Sequence, residues 1–270
     1  MLMIGSGDMY KWFTKTNIGY SHKKNKKPCQ DYSASFHDEE RTIITACDGH
    51  GGDLYIRSDR GSKFASIALT NAFKSVTRAH LKKSDDDLLK YIKIYALSEW
   101  NRLVEEDLSK NPIKTSERKK LDEDNRFKLK MNPVKAYGTT MIGAMIIQNK
   151  VIIIELGDGG SFIIKRNVCK EAVLSDDDTV ANITYSMCGD DVYKHMHGAI
   201  YNKKDIDSVL ICTDGVLNPY QSYDNFYSSF VLPILKLIKD GKDNEVEAFI
   251  KELGLKSGIG DDVSLGILMK

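Results

Sequence analysis

The chain has 270 residues, of which 41% are hydrophobic and 29% charged, with a formal net charge of +1. Length and balance are those of a globular protein with a sizeable core, and the near-neutral charge excludes an electrostatic case for nucleic acid or an anionic membrane as partner. Five cysteines (Cys29, Cys47, Cys169, Cys188 and Cys212), none in CxxC spacing, exclude a disulfide framework and a zinc ribbon and point to a reducing, cytoplasmic setting.

The opening MLMIGSGDMYKWF lacks a basic stretch followed by a long apolar run, so no signal peptide is read. RTIITAC (41–47) is a short β-branched strand that ends at Asp48. Residues 58–76 have helical spacing. Ser84 followed by Asp85, Asp86 and Asp87 reads as an N-cap with acids in the first turn, and Leu88, Ile92, Ala96, Trp100 and Leu103 continue a helix. Residues 109–135, charged and broken by proline, read as a solvated surface loop. TTMIGAMII (139–147) and VIIIELG (151–157) form a hairpin about QNK, and SFIIKR (161–166), after the turn GDGG, extends it as a meander. The polar break at QNK also prevents this apolar region from crossing a bilayer as one helix. Residues 167–207 are polar and irregular. SVLICT (208–213) is a buried strand ending at Asp214, NEVEAFIKEL (244–253) a helix stopped by Gly254, and VSLGILM (263–269) the last strand. Strands so continuously apolar need cover on both faces.

Chemistry concentrates where strands end. IITACDGH and VLICTDGV each run an apolar strand into Asp-Gly, which puts a carboxylate at a sheet edge, beside a glycine that permits close approach of the main chain. Asp261 in GIGDDVS and Asp31 in PCQDYS add further acids next to strands. Together they make an all-oxygen cluster of the kind that takes Mg²⁺ or Mn²⁺. A pair of metal ions relieves the repulsion among so many carboxylates.

Six segments in one order, QDYS (30–33), CDGHGG (47–52), YGTTMIGAMI (137–146), ELGDGGSF (155–162), LICTDG (210–215) and GDDVSLGIL (260–268), resemble the metal-dependent serine/threonine protein phosphatases of the PP2C family, in a bacterial-type branch with a Ser-His…Cys-Gln-Asp form. The resemblance implies a single domain over residues 1–270, an αββα sandwich of two antiparallel sheets flanked by helices, with two Mg²⁺ or Mn²⁺ ions at one edge. By position, Asp48 would bridge both ions, the Gly49 carbonyl would bind one, and Asp214 and Asp261 the other. Asp31 would act directly or through water, and Asp158 matches the acid that helps hold a third ion in bacterial relatives. His50 matches the proposed general acid.

The implied function is hydrolysis of phosphoserine and phosphothreonine in proteins by a metal-bridging hydroxide, which a bound metal makes available near neutral pH. A serine/threonine kinase would act on the same substrates. A monomer is expected, with neither nucleic acid nor membrane as partner. The sequence departs from the family where GDSR is replaced by Gly157-Asp158-Gly159-Gly160 and where the phosphate-gripping arginine is missing. His22, Lys23 and Lys26 (with Lys24 and Lys27) stand in its place, and Arg57 or Arg60 is the next choice.

Other readings are weaker. Asp176, in the Asp-x-Asp-x-Val of VLSDDDTV, matches the nucleophile of haloacid-dehalogenase-like phosphohydrolases, but ANITYSM is a poor start for the helix that pattern needs. No cysteine has an arginine six places on, which closes the cysteine-phosphatase option. HMH (195–197) reads as a solvated pair. The non-enzyme alternative is a pseudophosphatase, a PP2C-like binding module with weak or no turnover, and the retained acids argue against it.

Overall fold

The computed structural model describes residues 10–174, 184–256 and 260–270. Among the described residues, ten strands form two five-stranded antiparallel sheets. They are β1 (Lys11–Asn17), β2 (Tyr32–His37), β3 (Arg41–Cys47), β4 (Met141–Ile147), β5 (Lys150–Leu156), β6 (Gly160–Lys165), β7 (Val168–Glu171), β8 (His197–Asn202), β9 (Ser208–Cys212) and β10 (Val263–Met269). One sheet has the order β2-β3-β4-β5-β8 and the other β1-β10-β9-β6-β7.

Side chains alternate across a strand, so each central strand serves two cores. Ile44, Ala46, Ile142, Ala144, Val151 and Ile153 of the first sheet meet Val209, Ile211 and Leu268 of the second, and this is the middle of the sandwich. The alternate set, Ile43, Met141, Met145, Ile152 and Ile154, packs outward against the helices Ser58–Lys74 and Asp85–Lys110 through Leu69, Phe73, Leu88, Ile92 and Trp100. On the far side Leu210, Leu265 and Ile267 pack under Phe230, Ile234, Val246 and Ile250 of the C-terminal helices. Cover on both faces is therefore met by a sheet on one side and helices on the other.

The Ser84 cap is formed, its hydroxyl accepting from the Asp87 N–H at 3.2 Å. Four expectations change. β6 does not extend the β4–β5 meander: it crosses to the second sheet and pairs with β9, and the crossing uses Gly157 at φ +113°. Residues 109–135 are not one solvated loop, because helices Thr115–Arg118 and Glu123–Met131 fold there and Ile113, Leu121 and Leu129 are buried. The last helix runs past Gly254 to Lys256. β1 and β2, short on apolar residues, were not expected, nor were β7 and β8 within 167–207. Among the described residues no helix is long and apolar enough to cross a membrane.

Glu155 near the end of β5 is a further departure from an apolar strand. Burial pushes its carboxyl up to about 7, while the Ser161 hydroxyl, donating to it at 2.5 Å, works in the opposite direction. A folded-state value above the unfolded one favours the protonated form. Its contribution is full below about pH 4.5 and is lost as pH rises through about 7, a difference of about 3 kcal/mol. Glu155→Gln should therefore match the parent's thermal stability at pH 5 and exceed it at pH 8.5, read as the melting temperatures of both proteins across that range.

Candidate metal centre

Strand register decides which acids meet. Tyr32 pairs with Cys47, Ala46 with Ile142 and Met141 with Leu156, so the start of β2, the end of β3 and the end of β5 share one end of the first sheet. Gly160 and Leu265 both pair with Cys212, which places the starts of β6 and β10 beside the end of β9. Asp31, Asp48, Asp158, Asp214 and Asp261 each lie just outside one of these strand ends. Residues as far apart in sequence as 31 and 261 are thus drawn to one edge of the sandwich.

Asp48 is held from behind by its backbone. Its N–H donates to the Thr140 hydroxyl at 2.9 Å, and its carbonyl accepts from the Thr139 hydroxyl at 2.7 Å and the Thr140 N–H at 2.8 Å. Gly49 follows in a space where a Cβ would stand 2.5 Å from the Gln30 carbonyl oxygen and 2.6 Å from that of Ser58, so only glycine fits. One carboxylate oxygen from each of Asp48, Asp158 and Asp214 lies within 4.8 Å of the other two. Asp214 accepts from Asn218 at 2.9 Å, Asp158 from the Thr184 hydroxyl, and Asp31 from the Thr213 hydroxyl at 2.8 Å.

Burial and mutual repulsion raise these acids together. Burial, then the charge of Asp262, takes Asp31 to about 8. Burial, then Asp31 and Asp214, drives Asp48 well above the carboxylate range. Burial raises Asp214, with Asp158 and Asp261 adding to the shift, and burial also raises Asp261. A divalent cation would reverse that balance. The donors are hard oxygens, and the nearby Cys47 thiol, pushed up to about 12 by burial, offers no thiolate. The residues present therefore fit Mg²⁺ or Mn²⁺.

Asp261 and Asp262 divide sharply. Asp262 is 2% exposed, and its oxygens accept from the Gly19 N–H at 2.7 Å, the Gln30 N–H at 2.6 Å and His22 Nδ1 at 2.9 Å. Asp261, half-buried, accepts from the Asp262 N–H at 2.8 Å and borders the cluster. His22, expected among the phosphate-gripping residues, is instead buried and turned to Asp262. Lys23, Lys24, Lys26 and Lys27 of the same loop are exposed. Arg57 and Arg60 are committed elsewhere, Arg57 to Glu117 and Tyr137 and Arg60 to Asp107.

His50 lies two residues beyond Asp48, and its ring meets the Tyr55 ring edge-on with centroids 4.8 Å apart. Burial lowers its pKa, and Asp158 opposes that shift. Asp176 falls outside the described residues. His195 stacks on Tyr185, and His197 opens β8, where it pairs with Glu155 of β5. Missed from the sequence were the hydroxyls of Thr139, Thr140 and Thr213 and the anchoring role of Asp262. The first two stand in YGTTMIGAMI, but nothing local in the sequence connects them to Asp48.

A family model described as protein phosphatase 2C matches residues 18–251. The fold is similar to that of the serine/threonine phosphatase Stp1 from Staphylococcus aureus (15% identity over 99% of this chain and 98% of that one, TM-score 0.62). It is also similar to PppA, a regulatory component of T6SS in Pseudomonas aeruginosa (16% identity, 97% and 98%, TM-score 0.60). A third similar structure is the catalytic domain of the serine/threonine protein phosphatase PstP in complex with two manganese ions (15% identity, 97% and 98%, TM-score 0.56). No curated protein matches the sequence.

Removing the Asp262 carboxylate would strand three donors, two of them buried. Asp262→Ala should cost about 3–5 kcal/mol, measured by denaturant unfolding, whereas Lys23→Ala, on the exposed face of the same loop, should leave stability within about 0.5 kcal/mol of the parent.

Proposed function

This chain belongs to the protein phosphatase 2C family, and from that premise we propose that it hydrolyses phosphoserine and phosphothreonine in proteins with Mg²⁺ or Mn²⁺. The observation that carries the reading is the convergence of Asp48, Asp158 and Asp214 from both sheets, beside the loop that holds His50. Asp48, the Gly49 carbonyl, Asp214 and Asp261 would hold two ions, with Asp158 available to a third and Asp31 reaching the cluster from its bond with Thr213. Such ions, when bound, lower the pKa of water and neutralise phosphoryl charge.

The rest of the work falls to the chain. The threonines behind Asp48 fix its backbone without bringing charge, so its carboxylate stays available to a cation. His50, in the loop that follows Asp48, is in this reading the group that gives a proton to the departing seryl or threonyl oxygen, and a positioned imidazole contributes ~10²–10⁴ in rate. The exposed lysines of the Lys23–Lys27 loop supply positive charge to phosphate as point charges, in place of an arginine fork. Phosphorylated proteins are then the substrates, and a serine/threonine kinase the opposing activity. The acidic cluster supports this reading over a binding module, for which crowded carboxylates would only lower stability.

The purified protein should release phosphate from phosphothreonine peptides with Mn²⁺ and stop in EDTA; full activity in the chelator would contradict the reading. Asp48→Ala should abolish both turnover and Mn²⁺ binding, the latter followed by calorimetry. His50→Ala should keep Mn²⁺ binding and lose ~10²-fold or more on phosphothreonine peptides, with little loss on p-nitrophenyl phosphate, whose leaving group needs no proton.

A further inference from the structure

Next to the acidic edge is a cavity of about 410 Å³ lined by Pro28, Gln30, Gly51, Tyr55, Ile56 and Leu121 among others. It is continuous with the catalytic loop. The Gln30 carbonyl accepts from the Gly49 N–H at 3.1 Å, and the Gln30 amide donates to the His50 carbonyl at 3.2 Å. Tyr55, in the cavity wall, presents its ring to that of His50. A phosphoresidue bound at the acidic edge would therefore carry its neighbours along this wall, since successive residues of an extended peptide advance about 3.3–3.6 Å.

The outer wall is the segment expected from sequence to be solvated loop, and it is built firmly. Arg57, 4% exposed, donates to both oxygens of Glu117 at 3.0 and 3.1 Å, to the Asn111 carbonyl at 2.6 Å and to the Tyr137 hydroxyl at 2.7 Å. Glu117 in turn accepts from the Lys114 N–H at 2.7 Å, and Leu121 is buried behind it. Such a network has no evident need on a free surface loop, but it would hold one side of a binding cavity in place. With Glu117 matched by Arg57, the charged residues left around the cavity are Asp53 and Asp59 against Lys27 and Lys120. They balance, so the cavity favours neither sign, and its inner surface is mostly apolar.

We propose that this cavity is a substrate subsite that takes an aliphatic or aromatic side chain lying within two residues of the phosphoserine or phosphothreonine. The proposal rests on the phosphatase reading above and adds what selects among phosphoproteins. The cavity has ample room for such a side chain, and mostly apolar walls with a few polar groups suit an apolar ligand. Burying one leucine in place of alanine should raise kcat/KM on the order of 10-fold or more.

The test uses phosphothreonine peptides with alanine at all flanking positions, or with leucine at one of the two positions on either side, assayed with Mn²⁺ beside p-nitrophenyl phosphate. The parent should prefer one leucine peptide over the all-alanine peptide by roughly 10-fold. Ser116→Trp, which fills the cavity from an exposed position, should abolish that preference while p-nitrophenyl phosphate, too small to reach the cavity, is hydrolysed as before. Ile56→Ala, which enlarges the cavity, should move the preference from leucine toward phenylalanine at the same position. Equal rates on all peptides with p-nitrophenyl phosphate still turned over, or a leucine preference that survives Ser116→Trp, would overturn the subsite alone. Absence of turnover on every substrate with Mn²⁺ would overturn the phosphatase reading and the subsite with it.

Discussion

Five aspartates at one edge of a sandwich repel one another, and much of the structure around them serves to hold them there. Each stands next to the end of a strand, where the ladder fixes the backbone and the side chain leaves the sheet. Apart from one another, three of them bond to neutral partners: Thr213 for Asp31, Thr184 for Asp158 and Asn218 for Asp214. A lysine or arginine in those places would stabilise the protein alone and compete with a cation for the same oxygens. The repulsion is thus left in the fold, and the two cores on either side of each sheet must outweigh it.

Asp262 shows the other use of a buried acid. Its three donors all come from the segment Gly19–Gln30, so one carboxylate ties that loop to the start of β10. Close approach makes the same demand: a Cβ on Gly19 would stand 2.2 Å from the Asp261 carbonyl carbon. Through Gln30 the loop reaches the Gly49 N–H and the His50 carbonyl, so the position of the catalytic loop depends on an acid whose carboxylate hydrogen bonds all go to that loop. Arg57 plays a comparable part on the opposite flank, where it fixes the chain beyond Asn111.

Much of this was legible in the sequence. Apolar strands that run into Asp48 and Asp214 announce themselves by composition, and the order of the six motifs carried the sandwich with it. What stayed hidden depends on partners far away in the chain. β6 reads as the next strand of a meander because its apolar run follows a short turn, yet Gly157 turns it into the other sheet. β1 is too polar to stand out and is a strand because the whole of it pairs with β10, Lys11 with Met269 through Asn17 with Val263. Charge in 109–135 concealed Ile113, Leu121 and Leu129, whose burial depends on the helices and on Arg57. His22 lies close to the lysines in sequence and reads as one of their group, but an acid 240 residues later claims its ring.

Carboxylate repulsion is kept in the fold for a divalent cation to relieve. Thermal unfolding of the parent and Asp48→Asn, each with and without Mn²⁺, tests it most directly, because neutralising one acid should stabilise the protein without metal and remove what the metal adds. Asp48→Asn should melt above the parent in EDTA, and Mn²⁺ should raise the melting temperature of the parent alone. An Asn variant that melts below the parent in EDTA, with Mn²⁺ raising both proteins equally, would contradict it.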